Sequence, residues 1–332
     1  KTKPFYTVKA LDVSIPKGRM IAVTGVSGSG KTSLVIECLV PALQAVIQGT
    51  KLPEHVDSIE AKGIQSVKVI DSKPIGANVR STVATYDGVF DDLRKLFART
   101  ADAKAKGLTA GDFSYNTGKL RCPVCDGTGI ITMDVQFLPD VDTICPSCGG
   151  SRYGKDAYDI LWKSKEKDSV SVSLPGLLKL TVEEAAGILH EETKIAKQLK
   201  ILQDLGVCYL TLGEATPALS GGEAQRLKLA YEMETPQQGS VFVFDEPTIG
   251  LHPQDVKKLV LIFDHLIQLG ATVIVIEHDL ELVTNCDYII DMGPWGGTEG
   301  GRVVVEGTPE AVAATSESIT GRYLKQELAE DK

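Results

Sequence analysis

The sequence of 332 residues lacks any long apolar run. Its most apolar stretches, such as 258–263, are much shorter than the ~18–20 residues of a membrane-spanning helix, so no membrane partner is expected. The first residues, 1–4, contain no apolar leader, and we therefore predict no secretory signal and a cytoplasmic location. The chain also lacks an initiating methionine, which suggests that further residues precede Lys1.

An excess of positive charge is missing as well. Lysine and arginine total 35 against 44 aspartates and glutamates, which gives a formal net charge of −9. This balance argues against a protein that coats nucleic acid with its whole surface, although it is compatible with a local basic groove. Apolar residues make up 43% and charged residues 24% of the chain, which excludes a disordered tail or a collagen-like repeat.

Short β-rich runs alternate with helix-length segments toward both ends of the chain. Four such runs lie at 20–24, 241–244, 272–276 and 288–290. This alternation predicts an α/β fold with a mostly parallel sheet. The loop-rich middle of the chain predicts an insertion, so we assign a core to 1–71 and 206–332 and an inserted helical region to 72–205.

An octapeptide after the first β-rich run fits the phosphate-loop pattern G-x-x-x-x-G-K-[ST]. In such a loop, backbone amides surround phosphate oxygens at the start of a helix. Lys31 would reach the β- and γ-phosphates, and the Thr32 hydroxyl would bind Mg²⁺. The candidate ATP-binding residues are Gly25, Ser27, Gly28, Ser29, Gly30, Lys31, Thr32 and Ser33. The alternative, a glycine-rich turn with a chance lysine, fits this strand-to-helix context poorly.

Asp245 and Glu246 directly follow the apolar run 241–244. In phosphate-loop proteins such an aspartate holds Mg²⁺, and the adjacent glutamate is placed to act as general base toward water. Taken alone, two acids after a strand more often begin a helix. His278 follows the run 272–276, at the end of a strand where α/β sheets place ligands. We predict Lys31, Glu246 and His278 as catalytic residues.

Two C-x-x-C pairs, Cys122 with Cys125 and Cys145 with Cys148, are separated by 19 residues. This spacing predicts a four-thiolate zinc site within a module at about 119–155. Four protein ligands fill the coordination sphere of Zn²⁺, so the role would be structural. The alternative, four unbound core cysteines, fits a polar, glycine-rich region less well.

The segment from Leu219 to Arg226, L-S-G-G-E-A-Q-R, begins an amphipathic helix. It resembles the signature motif of ABC-type ATPases. Two further segments resemble motifs of the same class. Asp245–His252 resembles the Walker B motif and the D-loop, and Glu277–Asp279 resembles the switch-histidine segment. More narrowly, five segments resemble the UvrA family of bacterial nucleotide excision repair: Pro74–Gly76, Ala84–Tyr86, Gly88–Asp91, Phe137–Val141 and Asp291–Pro294.

This resemblance covers almost the whole chain and corresponds to the second of two ATPase modules. It implies that each ATP is closed between the phosphate loop of one module and the signature of the other. Ser220, Gly221 and Gly222 would then serve a nucleotide on a partner module, which is either an N-terminal half or a second copy. His278 would sense the γ-phosphate. The resemblance further implies duplex DNA carrying damage, a UvrB-like helicase subunit, excision nuclease action and the SOS response.

Two departures from the family pattern indicate a divergent paralogue. Ser72 stands where the family has the glutamine of its Q-loop, which weakens the expected coupling between Mg²⁺ and domain motion. In the segment 76–86, only Arg80 remains of two family arginines, and it is our single DNA candidate. The charged residues around the four cysteines are mixed in sign, so a solvated surface explains them equally well.

Two other functions stay open at this point. One is an ABC-type ATPase of a drug-resistance or transport system, against which the cysteine pairs and the long separation of Lys31 from Ser220 count. The other is a binding module that does not hydrolyse ATP by itself.

Overall fold

A computed structural model describes residues 1–76, 78–133, 141–165, 170–233 and 237–330. Two parts of the sequence interpretation lie outside the described residues. They are Phe137–Asp140, which belong to one family-like segment and to the predicted zinc module, and Ala77. The strands are β1 Met20–Gly25, β2 Ser66–Ile70, β3 Ile130–Met133, β4 Val141–Ile144, β5 Leu161–Lys163, β6 Ser171–Ser173, β7 Ser240–Asp245, β8 Thr272–Ile276, β9 Tyr288–Gly293 and β10 Arg302–Gly307.

The helices follow the same order along the chain. A π-helix, Ser33–Leu39, runs directly into α1. The α-helices are α1 Val40–Gln48, α2 Val83–Asp87, α3 Val89–Ala98, α4 Ala101–Ala105, α5 Leu174–Leu178, α6 Val182–Ile188, α7 Thr193–Asp204, α8 Gly221–Glu232, α9 Pro253–Gln268, α10 Leu280–Thr284, α11 Pro309–Ala313 and α12 Ile319–Glu330. None of the described helices has the length and apolar character needed to cross a bilayer.

Strands from both ends of the chain form one six-stranded sheet in the order β10-β9-β1-β8-β7-β2. β1 pairs in parallel with β8 and β9, β7 pairs in parallel with β8 and β2, and β10 alone runs antiparallel, beside β9. The predicted α/β fold with a mostly parallel sheet is confirmed. The analysis above did not identify β2 and β10, which lie at the two edges and are only partly buried.

The central strands are apolar because both of their faces are covered. Every residue of β8 is buried, as are the first five residues of β1 and of β7. Parallel strands covered on both faces carry continuous apolar runs rather than alternating ones. Val23, Val243 and Ile276 belong to one buried cluster that also includes Val35 after the phosphate loop. The first polar residues after these apolar runs lie at the carboxyl ends of the strands, for example Asp245 at the end of β7.

The chain divides into two compact units, Lys1–Ser72 with Met233–Lys332 and Lys73–Glu232. We call them the sheet unit and the cysteine unit. The second boundary follows α8, whereas the sequence analysis grouped 206–232 with the core. The difference arises because α8 packs against α2 and α7. The functional division into an ATPase core and an insertion stays a prediction.

The cysteine unit combines short helices with two small hairpins. β3 pairs with β4 and β5 pairs with β6, all antiparallel. Its largest fully buried side chains include Phe97, Tyr115 and Tyr153, and the Tyr153 hydroxyl donates a hydrogen bond to the Phe113 carbonyl at 2.6 Å. Buried aromatic rings with satisfied hydroxyls thus form part of its core.

Candidate nucleotide site and cysteine cluster

The phosphate loop connects β1 to the helix that follows it, as the motif predicts. Gly25, Gly28 and Gly30 have φ values of +128°, +74° and +99°, a region that side chains with a Cβ rarely adopt. A Cβ on Gly25 would also lie 2.0 Å from the Met292 carbonyl oxygen. Glycine is therefore required at the end of β1 both by the local backbone and by the neighbouring strand.

A second glycine-rich segment supports the loop from one side. The Gly297 N–H donates to the Gly28 carbonyl at 3.1 Å, and the Gly301 N–H donates to the Ser29 carbonyl at 3.0 Å. A Cβ on Gly296 would lie 2.6 Å from the Ser27 carbonyl oxygen. The sequence analysis missed this support, although the run of glycines between 293 and 301 was a signal for it.

The polar side chains of the loop fit a phosphate group. The Ser29 Oγ is buried and finds no hydrogen-bond partner within the described part of the chain. Lys31 Nζ donates to the carbonyls of Gly25 at 2.9 Å and Val26 at 3.1 Å, so it folds back over the loop. An orphaned hydroxyl beside a lysine and a glycine cradle is the donor set that phosphate oxygens need. Thr32 and Ser27 are exposed at the same loop.

Lys31 lies close to the predicted acids. Burial lowers the pKa of Lys31 from its usual value, while the charges of Glu246, Asp291 and Asp245 oppose that shift. Because β1, β8 and β7 run parallel, Lys31 in the loop after β1 and the acids Asp245 and Glu246 at the end of β7 lie at the same edge of the sheet. A partly buried ammonium next to carboxylates is suited to binding Mg²⁺ and polyphosphate jointly.

Glu246 occupies a strained turn at the end of β7. Its φ is +48°, which is uncommon for a residue other than glycine, and its N–H donates to the Ile276 carbonyl at 2.9 Å. His278 follows the neighbouring strand β8, and its side chain is 69% exposed. The candidate general base and the candidate γ-phosphate sensor thus lie at the ends of adjacent strands. Ser72 lies two residues beyond β2, next to β7 in the sheet.

Two buried carboxylates near these residues were not predicted as site residues. Glu277 separates β8 from His278 and is fully buried. Asp291, on β9, accepts hydrogen bonds from the hydroxyls of Thr24 at 2.7 Å, Ser318 at 2.6 Å and Thr320 at 2.7 Å. Thr24 immediately precedes Gly25, so Asp291 connects the strand before the phosphate loop to the residues that begin α12.

The signature residues lie in the cysteine unit, at the start of α8. The Ser220 N–H donates to Glu223 Oε2 at 2.7 Å, and the Glu223 N–H donates to Ser220 Oγ at 3.4 Å, which forms a capping box. The Tyr209 hydroxyl donates to Glu223 Oε1 at 2.6 Å. Gly221 and Gly222 open the helix and are half-buried.

The four paired cysteines form one buried cluster. The Sγ atoms of Cys122, Cys125, Cys145 and Cys148 all lie within 4.8 Å of one another. The Sγ atoms of Cys122 and Cys145 are 3.9 Å apart, and those of Cys125 and Cys148 are 3.7 Å apart. Zn–S bonds of ~2.3 Å in a tetrahedron place sulfur atoms about 3.8 Å apart, so this arrangement fits Zn²⁺.

The backbone around the cluster favours thiolates at particular positions. Burial opposes ionisation of Cys122, but the N–H groups of Cys125 and Val124 lower its pKa to about 7. The Gly129 N–H donates to Cys125 Sγ at 3.3 Å. N–H donors aimed at sulfur are typical of cysteines that bind a metal as thiolates.

Arg80 lies beside the first cysteine pair. Its guanidinium donates to the Asp126 carbonyl at 2.8 Å and lies 3.4 Å from the Asp126 carboxylate, which Arg121 also contacts at 3.0 Å. Arg80 therefore helps to hold the turn after Cys125. Its side chain is 29% exposed, so a part of it faces solvent.

No family model matches the sequence. The chain is 44% identical over 328 residues to UvrABC system protein A of Staphylococcus aureus and 45% identical over 326 residues to that of Clostridium acetobutylicum. These alignments cover 98% and 97% of this chain but 34% of each relative, so the chain spans about a third of their length.

A crystal structure of UvrA2 from Deinococcus radiodurans matches the fold with a TM-score of 0.85 and 41% identity. The match covers 98% of this chain and 39% of that one.

The mostly parallel sheet and the glycine cradle at the end of β1 define a phosphate-loop α/β module. Over 98% of its length the chain is homologous to UvrABC system protein A, and it corresponds to about a third of the length of these relatives.

Proposed function

We propose that this chain is an ATP-binding and ATP-hydrolysing module of a UvrA-like protein that recognises DNA damage. The carrying observation is the glycine cradle with the orphaned Ser29 Oγ and Lys31, at the same edge of the sheet as Asp245 and Glu246. Phosphoryl transfer depends mainly on positioning and on neutralising charge, and this edge of the sheet offers both.

The predicted site residues of the sheet unit have distinct roles in the proposed reaction. Lys31 and the loop amides bind the phosphates, and Ser29 Oγ donates to a phosphate oxygen. Thr32 and Asp245 would hold Mg²⁺, which neutralises charge on the phosphates. The Glu246 carboxylate accepts a proton from the attacking water. His278 contacts the γ-phosphate from the adjacent strand end.

The signature residues of this chain would serve a second module. We propose that Ser220, Gly221 and Gly222 close over an ATP held by another phosphate loop, in an N-terminal half or in a second copy. The capping box at Ser220 keeps this helix start ordered. The remaining N–H groups at the start of a helix favour an anion. Turnover measured with the chain alone and with such a partner module tests this requirement.

We propose that zinc bound by the four thiolates stabilises the cysteine unit, and that this unit contacts duplex DNA carrying damage, with Arg80 as a contact residue. The similarity to UvrABC system protein A supports action with a UvrB-like helicase subunit in excision repair. We propose a cytoplasmic location, because such a DNA substrate is intracellular.

Retention of duplex DNA on a filter at low salt tests the DNA proposal, because phosphate contacts strengthen as salt falls. An absence of retention would favour an ATPase of a resistance or transport system.

Replacement of Glu246 by Gln tests the central proposal. The variant should bind ATP as the parent does, because the phosphate contacts remain, while kcat falls about 10²- to 10⁴-fold through loss of the general base. Fluorescent nucleotide titration and phosphate release measure the two quantities separately. Turnover equal to that of the parent would reject Glu246 as the base.

A further inference from the structure

Glu277 is a fully buried carboxylate whose two oxygens are both occupied by donors. Its Oε2 accepts hydrogen bonds from the Thr248 N–H at 3.2 Å and the Thr248 hydroxyl at 2.8 Å. Its Oε1 accepts from the N–H groups of His278 at 2.8 Å and Asp279 at 3.1 Å. Four donors therefore face the two oxygens of this carboxyl group.

The four donors belong to two segments that carry predicted catalytic residues. Thr248 lies two residues beyond Glu246 in the turn after β7, and His278 directly follows Glu277. The Glu277 N–H in turn donates to the Val23 carbonyl on β1 at 3.2 Å. One side chain therefore joins the turn of the general base to the segment of the γ-phosphate sensor, and its own backbone is fixed to the strand before the phosphate loop.

We propose that Glu277 is a positioning residue that holds Glu246 and His278 in a single catalytic arrangement. This inference rests on the proposed ATP hydrolysis at the same site. Glu277 does not contact the nucleotide in this role. It acts through the two segments that its oxygens bind and through its Oε1, which lies 3.4 Å from His278 Nδ1.

A glutamine cannot replace this carboxylate without conflict. In one orientation its side-chain NH₂ faces the Thr248 N–H, and in the other it faces the N–H groups of His278 and Asp279. In both orientations an N–H donor would face another donor, and the buried side chain at position 277 has no water to satisfy either of them. One of the two segments must then shift. A displacement of a catalytic group by ~1 Å can lower turnover ~10²-fold.

Hydrogen exchange without nucleotide tests the anchoring directly. In Glu277→Gln, backbone amides at 246–250 and 277–280 should exchange faster than in the parent, while β1 and β9 keep their protection. A structural role without specific positioning would raise exchange across the whole sheet unit. Unchanged exchange in either of the two segments would overturn the proposal.

Turnover measurements test the consequence for the reaction. We expect Glu277→Gln to lower kcat about 10²-fold with KM for ATP changed less than about twofold, because the phosphate contacts remain. Thr248→Ser keeps both donors and should retain the parental kcat. Thr248→Val loses the hydroxyl, and its kcat should lie between those of the parent and Glu277→Gln. Parental kcat in Glu277→Gln would overturn the proposal.

Glu281→Gln is the matched control. Glu281 lies four residues further along the chain and forms a single ion pair with Lys257 at 3.5 Å. This variant should leave both exchange and turnover unchanged. If the parent protein hydrolyses no ATP even with a partner module, the proposed function fails, and the exchange pattern alone decides whether Glu277 anchors the two segments.

Discussion

The sheet unit and the cysteine unit order their candidate sites in different ways. In the sheet unit, long buried strands place glycines and acids at one edge, so the backbone itself defines the site. In the cysteine unit, the strands have three or four residues, and four sulfur atoms lie in one cluster that a zinc ion would hold together. We therefore expect the sheet site to be sensitive to steric changes and the cysteine site to loss of metal.

The two tryptophans of the chain allow this comparison to be measured. Trp162 lies in the cysteine unit and is 6% exposed, whereas Trp295 lies in the sheet unit and is 57% exposed. In a Trp295→Phe background, fluorescence reports unfolding around the buried Trp162 alone. Hydrogen exchange of β1 and β8 reports on the sheet unit independently.

Loss of one cysteine ligand should give the largest effect. Cys145→Ser removes one of four thiolates, and apparent zinc affinities of such sites correspond to about 10–16 kcal/mol, so metal binding should be lost or greatly weakened. We expect the zinc content to fall from one equivalent toward zero and proteolysis between 119 and 155 to accelerate. Metal analysis and limited proteolysis measure both.

Cys208→Ser is the control for that change, because Cys208 lies in the same unit but outside the cluster. It should keep one equivalent of zinc. Exchange of β1 and β8 should remain protected in both variants. If Cys145→Ser left the region around Cys122 as resistant to protease as before, the idea that metal orders this unit would be wrong.

Gly25→Ala should be the most damaging single change in the sheet unit. The added Cβ would lie 2.0 Å from the Met292 carbonyl oxygen, on a backbone with a φ of +128°. Neither β1 nor β9 can move without breaking the sheet, so we expect a loss of more than about 4 kcal/mol in the free energy of unfolding. Urea titration followed by far-UV circular dichroism measures it.

Gly18→Ala separates the steric clash from the backbone strain. Gly18 also has a positive φ, of +65°, but no atom lies within 4 Å of its added Cβ. It should therefore cost only about 1–2 kcal/mol. Equal losses in the two variants would show that contact with β9 does not restrict the end of β1.

The sequence predicted the features that short motifs encode, and it missed contacts between distant residues that belong to no motif. The phosphate loop is one octapeptide, and Asp245 and Glu246 follow a single apolar run, so local patterns sufficed. Thr248 and Glu277 are 29 positions apart, and Thr24 and Asp291 are 267 apart. Such pairs depend on strand order in the sheet, which no local pattern contains.

Asp291→Asn tests whether polar contacts contribute to the sheet unit at all. Asp291 is 1% exposed and accepts three hydroxyl hydrogen bonds, and the Ser318 hydroxyl in turn accepts from the Gly321 N–H at 2.7 Å. An asparagine NH₂ replaces one acceptor by a donor, so we expect the free energy of unfolding to fall by about 2–3 kcal/mol. Urea titration measures it.

Asp264→Asn is the corresponding control on an exposed helix surface. Partial desolvation and the nearby charge of Asp287 raise the pKa of Asp264, so its charge does not favour folding. This variant should unfold at the same or a slightly higher urea concentration. An equal loss in the two variants would mean that the network around Asp291 adds nothing specific.

Tyr209→Phe should give the smallest effect, and it concerns the signature helix of the cysteine unit. Burial alone raises the pKa of Glu223, but hydrogen bonds from Tyr209 and Ser220 and the charge of Arg226 together lower it. Removal of the Tyr209 hydroxyl deletes one of these bonds. Because the pair is partly exposed, we expect a loss of about 0.5–1 kcal/mol, read from Trp162 fluorescence.

The pH dependence of that loss identifies its cause. A carboxylate whose pKa is lowered by folding contributes stability above the ordinary carboxyl value of 4.5, and this contribution disappears as the pH falls through the folded-state pKa. The difference between the parent and Tyr209→Phe should therefore be full at pH 7 and shrink below pH 4.5. Tyr231 lies on the signature helix itself and is as exposed as Tyr209, and Tyr231→Phe should show no such dependence. A difference that stayed constant with pH would assign the effect to ring packing rather than to the cap of the signature helix.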